Sequence, residues 1–422
     1  MSSRTATLVA VAATLGAAAG VGLGLALIDD GPDEVAVAAA VETSSTTTTS
    51  TTSTTTTSTT TTTTTTTVPP REATLLFTGD LLPHAPVVRT AARYAEQGWD
   101  FTPMFDRVRP IIQAADLAVC HLETPLSPDD TGISGYPVFN APRALAEAVV
   151  DAGFDGCSTA SNHSFDRGRD GVIGTLDVLD DLGLGHAGTA RTEAEDALPT
   201  LYDAAGITIG HVSAAYGLNG FALPADGTFL VDLIDPDEVI AEARAARAAG
   251  ADFVVVSLHW GTEYRHEPTT RQEAWLEAIL PSDEVDLVIG HHAHVVQPVD
   301  RVGDEWVVYG VGNFLSNQSV SCCATAAQDG VIVEVDLYEP SEGVIEVDAI
   351  RLTPTWVDRS DYTIIPTAAG AADDGLGLAD TLVASWQRTV DVMGSRVEVA
   401  PDPSPSPAAD LTAEAPPARQ ER

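Results

Sequence analysis

Lysine is absent from the chain: all 21 basic residues are arginine, set against 61 aspartates and glutamates for a formal net charge of −40. That absence removes a Walker-type phosphate loop, a pyridoxal Schiff base and a lysine nucleophile. The charge balance repels a phosphate backbone, so nucleic acid is excluded as a natural partner. Cysteine is scarce as well, and none of the four residues has zinc-ribbon spacing. Cys120 and Cys157 fall in apolar runs and read as buried strand residues, with a bridge between them as the alternative. Cys322 and Cys323 are adjacent in a Ser/Ala-rich stretch, where each is expected to pair elsewhere or stay free.

Charge is also missing from residues 5–28, TATLVAVAATLGAAAGVGLGLALI, which lie between Arg4 and Asp29. As a helix this run is long enough to span a bilayer, and the positive-inside rule leaves Arg4 in the cytoplasm. The preferred reading is an uncleaved anchor, and the alternative is a signal peptide cut near the small residues at 36–41. Either exports the chain, which gives a single-pass cell-membrane protein with an extracellular domain. From Thr43 to Thr67 the sequence is almost pure Thr and Ser, and from 401 it is rich in Pro and Ala. Neither segment can bury enough apolar area to offset its chain entropy, so both are expected to be disordered. The resulting organisation is an anchor or signal (1–30), a linker (31–70), a folded domain (71–360), a C-terminal extension with one helix (361–396) and a tail (397–422). About 320 residues remain for one large α/β core.

Within that core, short β-branched runs alternate with helical patterns. ATLLFTGD (73–80), ADLAVCHLE (115–123), GFDGCSTASNH (153–163), ITIGHVSA (207–214), ADFVVVSLHWG (251–261), VDLVIGHHAH (285–294) and WVVYGVGNF (306–314) read as buried strands. FTPMFDRVRPIIQAA, PRALAEAVVDAG, GVIGTLDVLDDLG, PDEVIAEARAARAAG and TTRQEAWLEAIL carry helical spacing between them. The alternation predicts a largely parallel sheet covered on both faces. GVIVEVDL and GVIEVDAIRL then follow one another with no helix between, which predicts added antiparallel strands.

Each strand ends on a polar donor. Asp80, Glu123, Asn162 with His163, His259, and His292 with His294 all stand just after an apolar run, where ligands bind along a parallel sheet. Singly, these residues could cap helices or shape turns. Together they include four of the ten histidines, and His292 and His294 stand two apart, as rings on one side of an extended segment do. Nitrogen and oxygen donors without an obvious thiolate suit zinc, manganese or iron rather than calcium or a structural zinc finger. So many donors exceed the needs of one ion, and a carboxylate-bridged pair of divalent ions is the economical reading. Hydrolysis is the chemistry such a pair supports.

Six stretches in order, GD (79–80), LET (122–124), SNHSFDRGRDGVIGTL (161–176), HWGTEY (259–264), GHHAHVVQP (290–298) and VYGVGNF (308–314), resemble the signature of the bacterial capsule synthesis protein CapA family, also called poly-γ-glutamate biosynthesis proteins. The resemblance runs from about Ala73 to Val357 and places the chain in the calcineurin-like metallophosphoesterase superfamily. It implies a four-layer αββα sandwich, and periodicity alone does not show the second sheet. It also implies roles: Asp80 as bridging carboxylate, Glu123 and His294 at one ion, Asn162, His259 and His292 at the other. His163 then resembles the general acid that protonates a leaving group, and His291 a support for a ligand's orientation.

Three departures stand out. Asp80 is followed by Leu81 and Leu82 where the superfamily often has Asp-x-His, so one ligand is missing unless His84 or His121 replaces it. His121 itself occupies a position where the family usually has Asn, and Ala293 one where it usually has Pro. Arg167, Arg169 and Arg265 lie near the motifs, either to hold an anionic substrate or as solvated surface charge. The implied partner is an anionic envelope polymer or a phosphoester. Two activities fit, a metal-dependent hydrolase or a non-catalytic polymer-binding assembly factor.

Overall fold

The computed structural model describes residues 70–394 and 396–400. The expected anchor, the Thr/Ser-rich linker through residue 69 and the tail from 401 lie outside the described residues, whereas 397–400, expected as part of the disordered tail, hold the strand Glu398–Val399. Among those described, no helix is long and apolar enough to cross a membrane.

Two mixed sheets carry the domain. The first has nine strands; from one edge it runs Thr363–Pro366, Val344–Asp358, Asp329–Ser341, Glu72–Leu82, Leu117–Leu122, Gly156–Ser158 and Gly185–Ala187, with Asn313–Ser316 beside the end of Glu72–Leu82 and Glu398–Val399 beside Val344–Asp358. The second has six, in the order Val299–Val302, Glu305–Val308, Leu287–His291, Phe253–His259, Ile207–Ala215 and Thr200–Ala204. In each sheet the middle strands are parallel, while the two long C-terminal strands pair antiparallel, as the sequence pattern requires.

Alternation within each strand separates three cores. Leu75, Phe77, Leu117 and Val119 of the first sheet meet Ile209, Phe253, Val255 and Leu287 of the second. On its other face the first sheet turns Leu76, Ala118 and Cys120 towards Leu145, Val149 and Leu176 of the helices Ala144–Ala152 and Gly168–Leu182. On the far side, Val212, Val254 and Val256 cover Val239, Ala243 and Leu276 of the helices Pro236–Ala248 and Thr270–Ile279. The layers therefore run helix, sheet, sheet, helix. The last two helices start on side-chain caps, Asp235 on the Asp237 amide and Thr269 in a full capping box with Gln272.

Four local expectations change. FTPMFDRVRPIIQAA breaks into two single turns, Thr102–Phe105 and Arg109–Ile112, each opening on a proline. WVVYGVGNF is two strands: Glu305–Val308 belongs to the second sheet and Asn313–Ser316 to the first. The chain crosses between sheets at Gly310 and Gly312, and a Cβ at Gly79 would overlap the Gly312 carbonyl, so glycine permits that approach. The region after 361 holds two helices, Thr367–Ala371 and Ala379–Met393, and its strand Thr363–Pro366 joins the first sheet rather than standing apart.

The cysteines are the fourth. Cys120 and Cys157 are buried, yet also bonded to each other, because they are direct register partners on neighbouring parallel strands. Cys322 and Cys323, expected to pair elsewhere or stay free, are bonded to one another. With the first two cysteines committed, no other thiol is within reach of their turn, and no cysteine among the described residues is free.

Candidate metal centre

Register places the donors. Across the first sheet Asp80, His121 and Ser158 stand opposite one another, and across the second Ala215, His259 and His291 do the same. An irregularity between Phe77 and Asp80 shifts the end of the first strand out of its earlier register. The sequence pointed to a crevice along one parallel sheet, but the donors come from the carboxyl ends of two stacked sheets. His121 and His291 meet face to face across the gap, with ring centres 3.9 Å apart.

Two sets of three donors converge, each with ligand atoms within 4.8 Å of one another: Asp80, His121 and His259, and Glu123, His292 and His294. All six are buried. Of the two residues that might replace the missing histidine, His121 sits inside a set, whereas His84 turns its Nδ1 to the Leu82 carbonyl at 2.9 Å. Asn162 joins the first set through His259, its Oδ1 accepting from Nε2 at 2.9 Å. His291 lies as close to the carboxylates as the expected ligands, Nδ1 being 3.5 Å from Asp80 Oδ1. Arg167 and Arg265 are exposed, and Arg169 is engaged by Asp226.

The backbone beyond Gly290 is strained. His292 and His294 both adopt left-handed conformations, with φ of 82° and 55°. Such residues persist only where surroundings hold them. Tyr264 N donates to the Ala293 carbonyl at 2.7 Å, and Asn313 Nδ2 donates to the His294 carbonyl at 3.3 Å. Asn313, wholly buried, also takes His294 Nδ1 on its Oδ1 at 3.1 Å, and the same nitrogen lies 2.9 Å from Asp80 Oδ2, so Nδ1 carries a hydrogen between two acceptors and Nε2 is the nitrogen left to act as a ligand once the ring is neutral. The sequence reading quoted this asparagine in its motif without giving it a role. Its signal was the same as for the other donors, a polar residue beside a strand end.

His163 is built differently. Its Nδ1 donates to Asp166 Oδ2 at 2.8 Å, and that oxygen also takes the Phe139 amide, so imidazole and carboxylate are locked together. Asn219, at a φ of 49°, lies within 3.4 Å of the His163 ring and accepts from Asn162 Nδ2 at 3.2 Å. Asp166 was legible as an i+3 partner, but Asn219 arrives from a distant loop that no local pattern marks.

Electrostatics show how poorly this cluster stands by itself. Both oxygens of Asp80, both of Glu123, and Nδ1 of His291 and of His292 are buried without a hydrogen-bond partner. Orphaned carboxylate oxygens are costly. Burial works against ionising Asp80, but the nearby His291 and His294 hold it well below the usual carboxylate range. Burial pushes Glu123 well above that range. His121 and His259 are driven well below the usual imidazole value by burial and then by neighbouring rings, and His292 falls to about 3 for the same reasons. His294 is the exception: burial would lower it, but Glu123 and Asp80 raise it to about 9. An ionised Asp80 beside neutral His121 and His259 is the state that a divalent transition ion requires of its ligands, whereas Glu123 and His294 would each release a proton on binding one. The donor set fits two such ions.

The chain is 25% identical over 288 residues to the capsule biosynthesis protein CapA of Bacillus anthracis, covering 66% of this chain and 67% of that one. It is 27% identical over 290 residues to the PGA biosynthesis protein CapA of Bacillus subtilis, covering 65% and 70%. Among solved structures, the calcineurin-like phosphoesterase YfkN of Bacillus subtilis aligns over 76% of this chain and 97% of its own, at 13% identity and a TM-score of 0.41, a level at which no site or activity carries across. Residues 74–318 match the family described as bacterial capsule synthesis protein PGA_cap, and the chain belongs to that family.

Proposed function

We propose that the protein is a dinuclear metal-dependent hydrolase of the phosphoesterase kind, acting in capsule or poly-γ-glutamate metabolism at the outer face of the cell membrane. The observation that carries this reading is the set of orphaned carboxylate oxygens of Asp80 and Glu123, buried among imidazoles from two sheets. Asp80, His121 and His259, with Asn162, would hold one ion; Glu123, His292 and His294 would hold the other; His291 supports either from its stack on His121. Manganese, iron and zinc all suit this donor chemistry. When bound, the ions supply Lewis acidity towards an anionic oxygen. His163, oriented by Asp166 and Asn219, delivers a proton from Nε2 to the departing oxygen, and Asp166 stabilises the charged ring before that transfer. The two named relatives supply the polymer context. Export rests on the apolar run at 5–28 and is supported by the Cys120–Cys157 bridge, since such bridges persist in oxidising compartments.

The test is turnover of a generic phosphodiester by the full-length protein loaded with manganese or zinc. Two equivalents of bound metal are expected, and His163→Ala should lower kcat by about 10²–10⁴-fold while keeping both. Absence of stoichiometric metal would end the proposal. The second reading, a non-catalytic polymer-binding assembly factor, has the net charge of −40 against it, because like charges repel an acidic polymer unless metals or arginines invert the field locally. Polymer capture that survives both chelation and His163→Ala would favour a non-catalytic assembly factor.

A further inference from the structure

Arginines in this acidic chain mostly meet carboxylates, as Arg71 meets Asp252 and Glu339 and Arg191 meets Asp177 and Asp180. Arg359 does not. Its Nη1 donates to Ser319 Oγ at 2.9 Å and its Nη2 to Asn317 Oδ1 at 3.1 Å, with Nε on the same oxygen at 3.4 Å. These acceptors are all neutral. Asn317 Oδ1 also takes the Tyr362 hydroxyl, and Ser319 and Tyr362 are buried, so the half-buried guanidinium is clamped in one orientation. Three of its five N–H groups are used, which leaves two without an acceptor among the described residues. The acids beside it in sequence turn to their own backbone: Asp358 takes the Ser360 amide and Asp361 the Thr363 amide, each at 2.9 Å.

Strand direction puts this group on the edge where the metal centre lies. Val344–Asp358 is antiparallel to Asp329–Ser341, which is antiparallel to Glu72–Leu82, so the strand before Arg359 runs the same way as the strand that carries Asp80. Arg359 thus follows a carboxyl end, as the metal-centre donors do. Contacts join the two places. The Asn317 amide nitrogen lies 3.4 Å from His84 Nδ1; His84 meets Phe139 edge-on with ring centres 5.3 Å apart, and Phe139 meets His163 likewise at 4.7 Å. From Arg359 this wall reaches the centre at His163, the residue that protonates the departing oxygen. Arg89 and Arg93, one turn apart and exposed on the helix Ala85–Tyr94, add positive charge around Tyr362, and no salt bridge reaches either among the described residues.

A clamped guanidinium with two open donors matches the paired oxygens of a carboxylate or phosphate, and its side-chain entropy is already spent in the free protein. Its place on the His163 side decides which part of a substrate it meets. We propose that Arg359 is the anion-binding residue of a leaving-group subsite, so that the substrate of this centre carries a carboxylate or phosphate on its departing portion, several bonds from the one that breaks. Arg89 and Arg93 at the rim invert the field of an otherwise negative surface there. The inference rests on the hydrolase reading, which supplies the departing side.

The full-length protein loaded with manganese is titrated calorimetrically with ω-phosphonoalkanoates of graded chain length and with alkylphosphonates of matching length. The phosphonate is a non-hydrolysable head for the metal centre, and the carboxylate probes Arg359. At one length the carboxylate is expected to tighten binding by at least about tenfold. Arg359→Gln should remove that gain and Arg359→Lys should keep part of it, through charge without the fork, with alkylphosphonate affinity and bound metal unchanged in both. An α,ω-bisphosphonate arm separates the two anions: a larger gain assigns the subsite to phosphate, an equal or smaller one to carboxylate. A gain at no length, or one that persists in Arg359→Gln, would overturn the subsite and leave the hydrolase standing. Equal loss in Arg244→Gln, on the outer helix Pro236–Ala248, would mean general attraction to positive charge and would also overturn it. If neither series binds the metal-loaded protein, the hydrolase reading itself fails and the subsite with it.

Discussion

The strand-end centre and a cavity at the sheet edges, lined in part by Asp196, Asp232 and Glu242, both gather carboxylates that no arginine pairs with, yet they differ in burial and in their neighbours. At the strand ends, Asp80 and Glu123 are buried among imidazoles and converge into two tight sets. At the sheet edge, Asp196 is exposed and Asp232 and Glu242 are half-buried beside Ala197, Leu198 and Ala241, and desolvation with neighbouring acidic charge raises all three above the usual carboxylate range. Convergence makes the difference: donors within one coordination sphere suit a metal, while carboxylates that meet no such set favour the proton.

The largest expected break in that comparison comes from Asp80→Asn. Loss of this carboxylate should reduce bound metal below two equivalents and lower phosphodiester turnover by about 10²–10³-fold. Two equivalents of metal retained in this variant would show that Asp80 holds neither ion. A smaller effect is expected from Asn313→Ala, which removes the acceptor that orients His294, one backbone contact to its loop and one to Ala327. Chelator competition should show metal affinity reduced by about 10–100-fold; unchanged affinity would mean that the Tyr264–Ala293 bond alone holds the strained loop.

The smallest effect concerns Glu242. Its folded value of about 8 lies above the ordinary 4.5, so between those values the folded chain keeps a proton that the unfolded chain gives up. Stability attached to this group is therefore present below about pH 4.5 and lost as pH rises through 8. Glu242→Gln should raise the thermal midpoint by roughly 2–4 °C at pH 8 and leave it unchanged near pH 4. A midpoint that falls at pH 8 would show that the carboxylate is satisfied in the fold, unlike those of the empty-handed cavity described above.

Much of the centre was legible because each donor follows an apolar run that identifies its strand. Asp80, Glu123, Asn162, His259 and His294 all lie where that rule put them, at carboxyl ends. What could not be read was grouping. His121, noted only as a replacement, stands in a tight set because Asp80 and His121 are register partners, and His291 stacks on it because a second sheet lies opposite. Asn313 and Asn219 reach the centre from segments 19 and 57 residues away from their partners. The Cys120–Cys157 bridge stood only as the alternative to plain burial for the same reason: burial is visible in a strand pattern, and lateral pairing is not.

By itself the sequence determined which residues end each strand, that the chain has no lysine chemistry, and that its donors are nitrogen and oxygen, because side-chain period and residue type are local properties. Only the tertiary structure decided which donors share a set, which cysteines meet, and that a second anionic cavity opens at the sheet edge. Those depend on strand register and on how two sheets stack, and both are fixed by contacts between residues far apart in the chain.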